Sequence, residues 1–199
     1  LVRLLNAMDV DDEADVIDRL PEELRETVLH AIQDDDKELV EDILAWPQDS
    51  AGGIMQPIAF RLHEVLSCRD AISELHRQHE KLETVFYIYV ENDAGHLVGV
   101  VSLRSLLTHS PSSLLKEIMS ADLISVAPQT DQEEVARLVS RYDLLALPVV
   151  DESRCMLGIV TIDDVVDVLM EEAHEDMMLM AGVADEFEPE SVSTFKAAR

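Results

Sequence analysis

A chain of 199 residues, 47% of them hydrophobic, is long enough to bury one or two cores and too apolar to be read as disordered. Its formal net charge of −27 excludes nucleic acid as a natural partner, since phosphate binding needs clustered Lys and Arg, and disfavours docking on an anionic membrane surface. Divalent cations are the natural counter-charge for so many carboxylates.

Residues 1–46 read as short helices. Asp11-Asp12-Glu13-Ala14-Asp15-Val16-Ile17-Asp18 and Asp35-Asp36-Lys37-Glu38-Leu39-Val40-Glu41-Asp42 both place acids in a first turn, where the helix dipole favours them. Pro21-Glu22-Glu23 between them suits the start of another helix. Stacked short helices suggest the end of an α-solenoid, here a partial one. Leu1 in place of Met points to a segment of a longer chain. Pro47 to Gly53 breaks the helical pattern, so residues 47–54 read as a linker.

The body is then written twice, over 55–112 and 113–176. Each copy opens on a Met and a polar residue, Met55-Gln56 and Met119-Ser120. In the first copy Asp70 to Gln78 is helical, Thr84 to Val90 a strand, Glu91 to Gly95 a turn, His96 to Val101 a strand, and Leu103 begins a helix. In the second, Glu133 to Val139 is helical, Leu145 to Val150 a strand, Asp151 to Arg154 a turn, Met156 to Val160 a strand, and a long helix follows from Val165. Each unit is expected to be strand–helix–strand–strand–helix, and a repeat of this size implies two packed modules.

The last helix carries an apolar stripe at Ile162, Val165, Leu169, Ala173 and Met177. From Asp163 to Asp176 it holds seven carboxylates and no Lys or Arg, so a cation from outside the chain is expected there. Residues 177–199 read as the start of a connecting helix.

Other signals are weaker. Cys68 and Cys155 form no CxxC pair, which leaves a soft-metal or redox site unsupported and suggests a reducing compartment. No run approaches about 18 consecutive apolar residues, and no signal peptide opens the chain. Glu171-x-x-His174 is half of a di-iron motif whose second copy is missing. His76 and His79 lack the His-Glu-x-x-His pattern and read as a solvated helix face. Ser102 and Thr161 sit in no nucleophile elbow.

The β-hairpin followed by Ser/Thr-x-x-Asp and a helix, as in Gly158-Ile159-Val160-Thr161-Ile162-Asp163-Asp164, resembles a tandem pair of CBS domains. With the acidic helical segment, Trp46-Pro47-Gln48-Asp49-Ser50-Ala51-Gly52-Gly53 and the acidic run 163–176, the whole chain resembles the cytosolic part of the MgtE family of magnesium transporters.

The resemblance implies an α + α/β fold: a solenoid-like helical segment, a CBS pair and a long acidic C-terminal helix. It implies a non-enzymatic, homodimeric region on the cytoplasmic side of an inner or plasma membrane. There, Mg²⁺ binding between acidic surfaces compacts the protein and closes a pore formed by a transmembrane part of the same polypeptide. The family's ligand positions carry over to Asp11, Asp15, Gly53, Asp131, Glu133, Ser140, Asp143, Asp164, Asp167, Glu172, Glu175 and Asp176. Gly53 and Ser140 would offer backbone carbonyls, and Asp131 also suits a helix cap.

CBS pairs also bind adenine nucleotides, and Tyr87 and Arg104 match positions near an ATP. Ser105 stands where an Asp would hold the ribose and Leu144 where an aromatic is expected, so ATP binding is expected to be weak or absent. A nucleotide-sensing module of another protein therefore remains the alternative. A carboxylate-bridged metalloenzyme is a third reading.

Overall fold

The structure, a computed structural model, describes Leu5, Met8 and residues 10–32, 34–79, 82 and 85–180. Three helices come first: α1 (Val10–Asp18), α2 (Glu22–Leu29) and α3 (Asp34–Leu44). Pro21 stands at the N-cap of α2, where its fixed φ suits entry into a helix. Val10, Ala14 and Ile17 recur along one face of α1 and pack with Val28, Val40 and Ile43 into a core of their own. Ile58, from beyond the helices, packs against that core as well.

Residues 47–54 are not an open connection. Ala51 is fully buried, and Gly52 and Gly53 are buried with it. The backbone N–H groups of Ala51 and Gly52 donate to Thr130 and Pro128 at 2.7 and 2.8 Å. The Trp46 side chain occupies the space that a Cβ on Gly52 would need. The segment thus joins the helical layer to the second repeat.

The first repeat contains β1 (Arg61–His63), α4 (Cys68–Gln78), β2 (Tyr87–Glu91), β3 (Leu97–Ser102), α5 (Leu103–Thr108) and a short α6 (Leu115–Ile118) that periodicity did not suggest. β1 runs parallel to β2, and β2 runs antiparallel to β3. A full capping box, Ser67 with Asp70, starts α4 and satisfies two orphan donors at once. Accepting from Ser67 also holds the Asp70 carboxyl below its ordinary range.

The second repeat contains α7 (Gln132–Tyr142), β4 (Ala146–Val150), β5 (Met156–Thr161) and α8 (Ile162–Met180). β4 pairs antiparallel with β5. Its leading strand is reduced to one parallel bridge, Val126 with Val149. The register shifts at Val90/Glu91 in one hairpin and at Val149/Val150 in the other, so the duplication extends to a matched β-bulge.

The opening residues of the repeats are exchanged. Gln56, from the first, bridges Ile159 of β5, and Ser120, from the second, bridges Val100 of β3. Little room is left for a side chain where they cross. A Cβ at Gly158 would come 2.5 Å from the Gln56 carbonyl oxygen, and one at Gly99 would collide with the Met119 side chain.

Each repeat has its own core: Phe60, Leu62, Ile88, Val90, Val101 and Leu106 in one, Val126, Val135, Val139, Leu147, Val160 and Val165 in the other. The opposite faces of the hairpins share a further layer of Tyr89, Leu97, Ala146, Met156 and Ile159. Strands covered on both sides lose the polar alternation of a half-exposed sheet.

The apolar stripe expected along α8 holds only in its first turns. Val165 and Val168 are buried, whereas Leu169 and Met177 are 50% and 63% exposed. The reason is that α8 meets α7 through Val165 and Val168, in a core with Val135, Ala136 and Val139. Val166, Leu169 and Met170 are left as an outward apolar face. Among the described residues no helix is long and apolar enough to cross a membrane.

Candidate functional site

The burial of Val10, Ala14 and Ile17 turns the other face of α1 outward. Asp11 and Asp15, one turn apart, lie together on that face. At the start of α8, Thr161 Oγ1 and the Thr161 backbone N–H both donate to Asp164 Oδ2, at 2.5 and 3.1 Å. The cap fixes where the Asp164 carboxylate points, and Asp167 follows one turn on. Between these helices lies a cleft of about 610 Å³.

Asp11, Asp12, Asp15, Asp49, Asp164 and Asp167 line the cleft, together with Gln48, Gly53 and Gln132. Arg19 is the one basic residue among its described lining residues. Gly53 reaches the cleft because its backbone is packed against Pro47 and Gln48, leaving no space for a side chain.

Asp11 is strongly perturbed. Its Oδ1 is buried without a hydrogen-bond partner among the described residues. Its carboxyl is pushed up to about 7, first by burial and then by the negative charge of Asp164. A carboxylate lifted that far is a group short of a counter-charge. The donors on offer are all hard oxygens. No three His, Cys, Asp or Glu among the described residues are close enough to cage a metal directly. That donor set fits Mg²⁺, which keeps several of its waters and is held by one or two carboxylates.

The sequence-derived positions separate into groups. Asp11, Asp15, Gly53, Asp164 and Asp167 share the cleft. Asp131, Glu133, Ser140 and Asp143 belong to α7 and its ends. Asp131 caps α7, accepting from the Glu133 N–H at 2.9 Å. Glu133 accepts from Arg137 Nη2 at 2.8 Å. Ser140 lines a separate groove with Arg137, Arg141 and Leu169. Asp143 ends the helix in the left-handed region at φ 51°.

Glu172 is tied to the edge of the cleft, where Gln132 Nε2 donates to its Oε1 at 2.7 Å. The side chains of Glu175 and Asp176 lie outside the described residues, as does that of Glu171, and residues 181–199 lie wholly outside them. Sequence reasoning missed Asp12, Asp49, Gln48 and Gln132. Asp49 and Gln48 were hidden because they belong to a segment read as a linker.

Around the positions matched to ATP, Tyr87 is half-buried and meets Tyr89 edge-on at 6.5 Å, and Arg104 is exposed on α5. The Ser105 hydroxyl lies 3.2 Å from His109 Nδ1. Leu144 packs against the second core.

Two family descriptions match the chain: the MgtE intracellular N domain over residues 1–49, and the CBS domain over 51–112 and again over 115–171. The chain is 43% identical over 144 residues to the magnesium transporter MgtE of Thermus thermophilus, an alignment covering 72% of this chain and 32% of that protein. The chain spans about a third of the length of the curated relatives it matches.

Among solved structures, the soluble part of a magnesium transporter superposes with a TM-score of 0.82 at 34% identity, over 85% of this chain and 66% of that one. The cytosolic domain of the Mg²⁺ channel MgtE in complex with ATP superposes with a TM-score of 0.79 at 37% identity, over 82% of this chain and 67% of that one. With an MgtE N domain followed by a CBS pair, and close likeness in sequence and structure to MgtE proteins, the chain belongs to the MgtE family of magnesium transporters.

Proposed function

We propose that this chain is the cytosolic Mg²⁺-sensing region of a magnesium transporter or channel, a regulatory unit without catalysis. The observation that carries the reading is the buried Oδ1 of Asp11, without a hydrogen-bond partner among the described residues, beside the charge of Asp164. Asp11, Asp15, Asp164 and Asp167 would hold the ion, with Gly53 offering its carbonyl. Bound Mg²⁺ supplies positive charge and ordered water. Without it, α1 and the start of α8 repel each other across the cleft, and the helical layer is biased away from the second repeat. The cleft is then a two-state element that a ligand can bias.

In the whole transporter, compaction closes a pore built by transmembrane segments of the same polypeptide, on the cytoplasmic side of the membrane. The exposed apolar residues Val166, Leu169 and Met170 of α8, and Tyr142 and Leu145 at the end of α7 and after it, support pairing with a second copy through the CBS units. Glu133, Ser140 and Asp143, and the terminal set Glu172, Glu175 and Asp176, are proposed as further ion positions outside the cleft's centre.

Thermal unfolding in millimolar Mg²⁺ and in sodium chloride of matched ionic strength tests this reading. A ligand at about 100 times its dissociation constant stabilises the folded state by about 2.7 kcal/mol, so Mg²⁺ is expected to raise Tm well above the sodium value. Equal melting temperatures would defeat it.

A second reading, nucleotide sensing, is favoured by the ATP complex of the related MgtE cytosolic domain. Against it stand Ser105 and Leu144. A serine offers one neutral hydroxyl where a carboxylate would accept charge-assisted bonds of roughly twice the strength.

A further inference from the structure

We propose that Arg19 is a tethered counter-ion of the acidic cleft and sets the concentration of divalent cation at which the cleft fills. The inference rests on the Mg²⁺-sensing reading and concerns the regulation of that same site.

Six described carboxylates line the cleft and one described cation does. Arg19 directly follows the last residue of α1, where the helix dipole favours positive charge, and its backbone N–H still donates to Asp15 O at 3.3 Å. Its guanidinium Nη2 lies 3.9 Å from Asp15 Oδ2, with the Arg19 side chain 73% exposed and that of Asp15 54%. This is an ion pair at the limit of contact.

The neighbouring Arg25 shows the contrast. It pairs with the Asp18 carboxylate at 2.8 Å and also donates to the Asp18 carbonyl. Two anchors hold Arg25 in place, whereas among the described residues the side chain of Arg19 has the single ion pair with Asp15.

A loose, exposed pair is worth little and is screened by salt. Arg19 can therefore leave when a divalent cation arrives. While it stays, it neutralises part of the cleft, stabilising the empty form and competing for Asp15. Removing the charge should have two opposite consequences: an empty cleft that is less stable and a cleft that fills at lower Mg²⁺.

The test is a Mg²⁺ titration of this 199-residue chain followed by thermal unfolding at fixed ionic strength, for wild type, Arg19→Gln and Arg19→Lys. Arg69→Gln, which removes the same charge from α4 away from the cleft, serves as control. Arg19→Gln is expected to lower Tm without Mg²⁺, to reach at least the wild-type Tm at saturation, and to shift the midpoint about two- to five-fold lower, the range an exposed pair supports. Arg19→Lys, which keeps the charge, should retain the wild-type midpoint, and so should Arg69→Gln.

A purely structural role for Arg19 would lower Tm equally at zero and saturating Mg²⁺ and leave the midpoint in place. That outcome, or an equal shift in Arg69→Gln, overturns the proposal while the sensor reading stands. A wild type that does not distinguish Mg²⁺ from sodium overturns both.

Discussion

Asp164, fixed by the Thr161 cap at the head of α8, is one of the charges that lift the Asp11 carboxyl on α1 toward neutrality, second only to burial of Asp11 itself. Two acids far apart in the chain thus share one field, and it is Asp11 that is made harder to ionise.

This relation sets a pH dependence. The Asp11 carboxyl sits at about 7 in the folded chain against an ordinary 3.8. A raised acid is protonated in the folded state where it is ionised in the unfolded one. Its stabilising contribution is therefore complete below about pH 4 and lost as pH rises through about 7. In metal-free buffer, Tm measured from pH 4 to 8 should fall up to about pH 7 and level off above it, and Asp11→Asn should flatten the fall. Excess Mg²⁺ should flatten it too, by favouring the ionised form. A profile in Asp11→Asn as steep as the wild type's would contradict the assignment.

Shape should follow charge. Small-angle scattering of the wild type is expected to give a larger radius of gyration without Mg²⁺ than with it. In the triple variant Asp11→Asn, Asp15→Asn, Asp164→Asn, most of that difference should disappear, because the repulsion and the ligands go together. A wild-type radius indifferent to Mg²⁺ would count against a gated cleft.

The two hairpin glycines, Gly99 and Gly158, should respond differently to substitution by alanine. At Gly158 a Cβ meets the backbone carbonyl of Gln56, whose bridge to Ile159 is closed by hydrogen bonds of 2.7 and 2.9 Å. At Gly99 the obstacle is the flexible side chain of Met119. Overpacking typically costs about 1–3 kcal/mol, so chemical denaturation should place Gly158→Ala in that range and Gly99→Ala below it. The reverse order would show that the Met119 contact is the more rigid one.

Nucleotide should bind weakly. Titration calorimetry with ATP, ADP and AMP is expected to show no low-micromolar affinity. Loss of an aromatic at Leu144 removes a contribution of about 1 kcal/mol, and Ser105 is engaged beside His109. Ser105→Asp should strengthen ATP binding while leaving the Mg²⁺ midpoint unchanged. Tight ATP binding by the wild type would raise the second reading above the first.

Glu172 offers a further check on how α8 divides its charges. Gln132 lines the cleft and donates to Glu172 at 2.7 Å, yet Glu172 does not line the cleft itself. Neutralising Glu172, Glu175 and Asp176 together is expected to leave Mg²⁺-driven compaction of this chain largely intact and to impair closure of the pore in the whole transporter. Equal loss of compaction from this set and from Asp164 with Asp167 would contradict the division.

Much of the architecture is legible in the sequence because it depends on local chemistry. The repeat shows in the paired Met openings and in Gly99 and Gly158, and the hairpins in apolar runs flanking turn residues. Acids in the first turn of α1 and the Thr161-x-x-Asp164 cap are likewise local devices, since capping and dipole effects act within one turn. Pro21-Glu22-Glu23 marks the start of α2 in the same local way.

The tertiary structure decided what lies next to what. Nothing local says that Gln56 pairs with the second hairpin and Ser120 with the first, because a single bridge has no periodicity. Nothing local marks Ser50 to Gly53 as buried, since Gly, Pro, Ser and Asp signal a turn whether it is open or packed. The stripe on α8 was misplaced beyond its first turns for a similar reason: apolar spacing gives a face, but only packing against α7 selects Val165 and Val168 over Leu169. The cleft itself exists only because α1 and α8 are brought together. Coulomb interaction depends on distance in space, so the burial of Asp11 beside Asp164, and the part played there by Asp49, Gln132 and Arg19, belong to the fold alone.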